Sequence, residues 1–460
     1  MNKNAKKRHA ISESDSVKEE NVMNIVLGVI LLITYFVFIF YAAKGGNLLL
    51  GLFIMAILWS GISLIGGTVT LKDINITIFQ AGPESFGPTA INIIFGSWFG
   101  RILIETGIAR TIIRKAVELG GDRRSLTVIL LSIVVTAIFT TAYGVGAVVA
   151  IGVIVFPIML SLGVSKPLAT AAYSMAVGAG LWLNSALLSQ AAGTMVIGNS
   201  AKYVIGPAWY SFAGIAVGVA VLTYIIMVLV SNRKLNKVHA WAAPNADEGA
   251  EGQTKNVNLW AALTPIIPVT IAIALGISSI PAIIIAAIWG LAWTGYFSKG
   301  WSKIAEVVEK TFFDGVRDVG LVLGFLLFLQ MFIRSAGSAK TLLGPIVSPI
   351  LPTNLFSLFL VFGILAILAL FRGPLTIWGA GAATFAIIAS QGVYPIAVLF
   401  PLFYVAATAI TTNICPTQSW NMWGIGYTKI SVRDYLRQTL PYALPMALVL
   451  ELIAYFMFAA

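Results

Sequence analysis

GAGLWLNSALLSQAAG (residues 178–193) and ATAITTNICPTQSWNMWG (residues 407–424) decide how the chain is read. Each lies within an apolar run, 168–198 or 395–427, that is too long and too interrupted for a plain membrane-crossing helix. Gly178, Gly180, Asn184, Ser185, Ser189 and Gln190 in the first, and Thr411, Thr412, Asn413, Pro416, Thr417, Gln418 and Ser419 in the second, would be costly against lipid. Pro416 lacks an N–H and clashes with the preceding turn, so its helix is expected to break. A broken helix is tolerated at membrane depth only where protein or a water-filled cavity covers the freed backbone groups. Half-helix N-termini then suit anions and unwound carbonyls suit cations. For any one of these residues, the alternative is plain helix packing with Ser, Thr and Asn as interhelical glue.

The surrounding chain fits that reading. Of 460 residues, 58% are hydrophobic and 10% charged, which excludes a water-soluble enzyme. Fourteen apolar segments follow one another from residue 23 to the end, seven on each side of a polar stretch at 231–257. The expected organisation is a polar N-terminal tail at 1–22, a membrane repeat at 23–230, a cytoplasmic linker at 231–257 and an inverted second repeat at 258–460. The tail has no cleavage signature, so the first segment is expected to stay in the mature protein. Faint identities link the halves: Gly107, Ala109 and Thr111 recur 230 positions later as Gly337, Ala339 and Thr341, and Asn184 recurs 229 positions later as Asn413. The fold class expected is therefore an all-α polytopic membrane protein of two inverted repeats.

The net charge of +11 does not indicate nucleic acid, because Lys and Arg gather in loops between apolar segments. Arg110, Arg114, Lys115, Arg123 and Arg124 fall on one face with Arg233, Lys234 and Lys237, then Lys299, Lys303 and Lys310, then Lys429, Arg433 and Arg437, as the positive-inside rule requires. With Cys415 the only thiol, and His9 and His239 the only imidazoles, no disulfide framework or Cys/His metal site is expected. No cofactor is expected, and no P-loop of the form GxxxxGK[ST] is present.

Two Gly-rich turns precede the interrupted runs: FTTAYGVGAV (139–148) and LFRGPLTIWG (370–379). The hydroxyls of Thr140, Thr141, Tyr143 and Thr376 can bond a polyol or carboxylate, and each alone is equally a packing residue. Arg372, before Gly373 and Pro374, can neutralise a carboxylate or serve as an orientation anchor. Among acidic residues, Glu105 follows Arg101 by one turn and is read as its ion-pair partner. Asp314, Arg317 and Asp318 are read as a solvated first turn of the segment that follows. Asp318 and Glu451 are the candidate proton carriers, Glu451 because it falls deep in the last segment. Failing these, Asn184, Asn413 and nearby carbonyls can hold Na⁺.

FGSWFGRILIETGIARTIIRKAVELGGDRRSLTVIL (95–130), FPIMLSLGVSKPLATAAYSMAVGAG (156–180) and SWNMWGIGYTKISVRDYLRQTLPY (419–442) resemble the corresponding stretches of the gluconate permease family of proton symporters. More broadly, the chain is similar to the ion transporter superfamily, which includes citrate and dicarboxylate carriers. The resemblance implies that each repeat holds a re-entrant hairpin and a discontinuous helix, with tips at 139–147 and 371–377 and breaks at 182–190 and 411–419. Substrate contacts would then fall on Thr140, Thr141, Tyr143, Gly144, Asn184, Ser185, Arg372, Gly373, Thr376, Thr412, Asn413 and Thr417. The chain departs from the gluconate permeases in lacking an acidic residue in the first turn, a His/Pro-rich first break and an Asn-Asp pair in the second. Neither gluconate nor that family's proton site is carried over.

The function expected is secondary active transport of a small organic anion across a bacterial inner membrane by alternating access, coupled to H⁺ or Na⁺, with the bilayer and a possible homodimer as partners. A cation/proton antiporter is the first alternative. A membrane-embedded enzyme or channel subunit is the second, although no clustered catalytic set is visible.

Overall fold

The computed structural model describes residues 3–44, 46–121, 123–197, 201–233 and 258–460, so most of the linker at 231–257 lies outside the described residues. The chain is all-α, apart from a two-residue antiparallel pairing of Val196–Ile197 with Ala201–Lys202. Fourteen separate crossings are not what forms. Among the described residues, six helices are long and apolar enough to cross a membrane, or seven when the bent pair Lys166–Leu181 and Ser185–Thr194 is one span. Most other apolar segments form shorter helices, such as Arg124–Phe139 and Val145–Ser161.

These two make the first hairpin. Its arms hold 16 and 17 residues, so each is about 24–26 Å long at 1.5 Å per residue, short of the roughly 30 Å hydrocarbon thickness. Thr141, Ala142 and Tyr143 at its turn are buried in protein. A lipid-facing turn would leave backbone groups unsatisfied, so the loop re-enters the body of the molecule. Leu355–Ile364, the 3₁₀ stretch Leu365–Arg372 and Gly381–Gln391 make the equivalent hairpin of the second half.

The halves repeat one order of elements. Scaffold helix Gly87–Glu105, amphipathic Ile108–Gly120, the hairpin, the bent pair and long helix Pro207–Arg233 are answered by Trp301–Ser338, Lys340–Val347, the second hairpin, Ile396–Thr428 with its break, and Val432–Phe458. In Ile108–Gly120, Ile108, Ala109, Ile113 and Ala116 are buried while Arg110, Lys115 and Glu118 are exposed, so it lies along the body on one face.

The inversion can be read from the contacts between the two scaffold helices. Glu105 pairs with Lys310, the Trp98 indole donates to the Thr311 hydroxyl, the Ser97 hydroxyl donates to the Gly315 carbonyl, and Gly82, in the short helix Ala81–Glu84 just before, abuts Gln330. As numbering falls along one partner it rises along the other, so these equivalent helices run antiparallel. The approach is close: a Cβ on Gly315 would lie 2.7 Å from the Trp98 backbone nitrogen.

Two sequence readings are corrected here. The charges from Lys303 to Asp318 do not form a loop and first turn, because Trp301–Ser338 is one continuous 38-residue helix. Glu105 and Arg101 do not pair with each other, because that helix brings nearer partners to both: Lys310 for Glu105 at 2.7 Å, and Asp318 for Arg101 through two 2.6 Å contacts.

Candidate functional site

The first helix break is held by one side chain. Fully buried Asn184 caps the resumed helix Ser185–Thr194, its Oδ1 accepting from the amides of Ala186 (3.0 Å) and Leu187 (3.1 Å). Its Nδ2 donates to the carbonyls of Phe139 (3.0 Å) and Ala142 (2.9 Å) at the hairpin turn. Both donors and both lone pairs are used, so this side chain joins break to tip. The chain bends by 70° there.

Around the first tip, the Tyr143 hydroxyl donates to Gln190 Oε1 at 2.6 Å, and Thr141 donates at 2.7 Å to the carbonyl of Pro265, in the other half. Thr140 donates to the carbonyl of Ala137. Gly144 has φ +100°, a conformation open to glycine and strained for side-chain-bearing residues, and it starts the second arm of the hairpin. Ser185 is the first residue of the resumed helix and is partly exposed.

The second tip is built differently. Phe371 and Arg372 have φ of +52° and +62°, unfavourable for side-chain-bearing residues and therefore maintained by their surroundings. Arg372 supplies part of that support, Nη1 donating to the Trp378 carbonyl (3.0 Å) and Nη2 to the Thr417 carbonyl (3.2 Å). The Phe371 amide donates to Cys415 Sγ at 3.2 Å, and Cys415 Sγ lies 3.1 Å from the Thr417 hydroxyl. Gly373 follows in an extended conformation and is buried. The Thr376 hydroxyl and Trp378 indole nitrogen are buried without a hydrogen-bond partner.

The second break follows a widening of the helix. Ile396–Ala406 passes into a π-helical turn, Ala407–Thr412, before the chain unwinds and resumes at Ser419. π-turns inside α-helices are frequent at functional sites. Thr412 is buried, its hydroxyl bonding the Thr408 carbonyl and its own carbonyl accepting from the Trp420 indole. Asn413 donates to the Thr408 carbonyl at 2.7 Å, but its Oδ1 has no donor. Gln418 Oε1 and Asn421 Oδ1 are also buried without a donor. Side chains of this kind are ordinarily satisfied when buried. Unpaired amide oxygens thus gather at the break, with the unpaired hydroxyl of Thr408 beside them, while a hydroxyl and an indole N–H are unpaired at the tip.

The two halves meet at this point. Asn413 Oδ1 presses on Gly178 so closely that a Cβ there would lie 2.3 Å away. The Tyr404 ring packs on Trp182 at 5.6 Å, and its hydroxyl donates to the Leu181 carbonyl at 3.4 Å. Asn184 and Asn413 thus belong to one packed region, connected through the helix that carries Gly178.

The two acidic candidates lie apart from one another. Asp318 is neutralised by Arg101, and the pair rests on the first tip, where a Cβ on Gly146 would strike Asp318 Oδ2 at 2.1 Å. Glu451 is fully buried in Val432–Phe458, with neither carboxyl oxygen hydrogen-bonded. Sequence reasoning named Gly178 as part of the polar stretch without foreseeing its contact with Asn413, and passed over Trp378, Tyr404 and Asn421. Asn421 stands within a quoted stretch, whereas nothing local distinguishes Trp378 or Tyr404 from ordinary apolar packing.

Comparison with known proteins gives a fold. No protein-family model matches the chain, and none of the curated proteins does. Among solved structures, the YdaH transporter of Alcanivorax borkumensis, described as having an unusual topology, is similar with a TM-score of 0.59 and 14% identity, covering 90% of this chain and 98% of that one. The molecule therefore shares the fold of a transporter and is a multi-pass membrane protein.

Proposed function

We propose that this protein is a secondary active transporter of a small organic anion, a carboxylate such as a sugar acid, citrate or a dicarboxylate, coupled to H⁺ or Na⁺ through alternating access. The observation that carries this reading is Arg372. It is half-buried at the tip, yet among the described residues no carboxylate pairs with it, and its bonds to two carbonyls leave the cationic charge uncompensated. A guanidinium has five N–H donors, so capacity for an anion remains. The unpartnered donors of Thr376 and Trp378 belong to the same tip. The fold shared with a transporter supports transport as the activity.

The cation would be served by the acceptor-rich break around Asn413 or by one of the acids Asp318 and Glu451. The proposed location is a bacterial inner membrane, and dimerisation is open to test by native mass spectrometry.

The test is uptake of labelled citrate, succinate and gluconate into proteoliposomes under an imposed pH or Na⁺ gradient. Accumulation of one of them, lowered by about ten- to a hundredfold in Arg372→Ala, is expected, corresponding to the loss of one or two charge-assisted hydrogen bonds. Arg372→Lys should recover little, because an ammonium does not reproduce the planar fork. Cation exchange with no anion movement, indifferent to Arg372→Ala, would replace this reading with an antiporter.

A further inference from the structure

Among the described residues Glu451 is an acid with no ion-pair or hydrogen-bond partner, and its surroundings are specific. Its residue exposure is 0%. Its carboxyl faces the backbone of Ala406 without a well-formed hydrogen bond to it. On the other side, Gly363 brings its backbone against Val432–Phe458, where a Cβ would lie 2.7 Å from Leu448 Cδ1 and 3.4 Å from Glu451 Cβ.

Ala406 and Gly363 each mark the end of regular helix. After Ala406 the chain widens into the π-turn Ala407–Thr412 and leads to Asn413, and just after Gly363 it tightens into the 3₁₀ stretch Leu365–Arg372 and leads to Arg372. Glu451 therefore touches both chain segments that deliver the site, at the points where each departs from α-helical geometry.

The elements packed on Val432–Phe458 offer it no counter-charge. Leu355–Ile364 and Ala407–Thr412 carry no titratable side chain, Leu365–Arg372 carries Arg372, and Ile396–Ala406 carries Tyr404. Lys166–Leu181 carries Lys166 and Tyr173, and Pro207–Arg233 carries Tyr210, Tyr224 and Arg233. On its own helix stand Arg433, Asp434, Tyr435, Arg437, Tyr442 and Tyr455, and among the described side chains none of these groups pairs with Glu451. A lone carboxylate in such a place is costly, and among the described residues no group of three or more Asp, Glu, His or Cys side chains is gathered to hold a metal cation. A proton satisfies the position with no further ligand.

We propose that Glu451 is the proton-exchanging group of the transporter. It holds its proton while packed between Gly363 and Ala406, and releases it when rearrangement of the 3₁₀ and π segments admits water. The O–H bond then breaks toward that water, which leaves as hydronium, and the electron pair stays on the carboxylate. Movement at Arg372 and Asn413 is thereby tied to proton release. This inference rests on the transporter reading for its physiological meaning.

Its test is infrared difference spectroscopy of the full chain reconstituted in lipid, titrated from about pH 5 to about pH 9, the range in which a perturbed carboxyl group can exchange its proton. A carboxylic-acid C=O band that disappears on alkalinisation and shifts in D₂O is expected in the wild type. It should be absent in Glu451→Gln and displaced in Glu451→Asp. No such band in the wild type, or an unchanged one in Glu451→Gln, overturns the proposal, and should Glu451→Gln fail to fold, an undisplaced band in Glu451→Asp overturns it equally. In uptake, whichever of citrate, succinate or gluconate the wild type accumulates under a pH gradient should accumulate at least about tenfold less in Glu451→Gln, a loss of one unit of coupling or more. Accumulation equal to wild type would overturn it. If none of the three enters wild-type vesicles, the transport reading fails while the band still decides Glu451.

Discussion

Asn184 and Asn413 occupy matching places in the two halves but are bonded in opposite ways. All four hydrogen-bonding positions of Asn184 are taken, whereas Asn413 keeps one bond within its own helix and an unpaired oxygen. Asn184→Ala removes a helix cap and orphans four backbone groups, so it should destabilise the protein by about 3 kcal/mol. Asn413→Ala should cost about 1 kcal/mol, the value of one ordinary bond, yet reduce uptake about tenfold or more. Thermal unfolding in detergent together with uptake separates the two, and equal destabilisation would refute the asymmetry. The sequence located both residues from their polar surroundings in apolar runs. It could not tell them apart, since the difference lies in which carbonyls the hairpin turn brings within 3 Å.

At the scale of elements, the broken helices depend on close backbone approach. Gly178→Ala would put a Cβ 2.3 Å from Asn413 Oδ1, so the second break must shift. The variant is expected to fold and to lose uptake by about tenfold, since a methyl group in a packed region typically costs 1–3 kcal/mol in strain. Near-normal uptake in Gly178→Ala would show that the two breaks do not act together. The breaks themselves were legible because polar residues and Pro416 interrupt otherwise unbroken apolar runs. The helix Trp301–Ser338 was not, because its charged first half looks like a loop to any rule that expects membrane helices to be apolar throughout. Its charges are tolerated because several face partners on the other half, as Asp318 faces Arg101 and Lys310 faces Glu105.

Across the whole molecule, that antiparallel seam is what makes the two halves one body, and its two ion pairs should count unequally. Arg101 and Asp318 are only 27% and 10% exposed at their side chains, whereas Lys310 and Glu105 are 56% and 38% exposed. Asp318→Asn leaves a shielded guanidinium uncompensated and should destabilise by about 2 kcal/mol, while Lys310→Ala should stay within about 1 kcal/mol. Chemical denaturation of the detergent-solubilised protein measures both, and the reverse order would contradict the assignment of the seam. The two-repeat plan was legible from segment spacing and a few identities at an offset near 230. Which helices would meet along the seam was not, because that depends on side chains separated by more than 200 residues.

The sulfur of Cys415 sits where the second hairpin tip touches the second break, accepting the amide of Phe371. Because it is the only thiol in the chain and is buried, a water-soluble thiol reagent reaches it only when that junction parts. The rate at which the unaltered polypeptide takes up a small maleimide would therefore time the junction's opening, with no background cysteines to strip out.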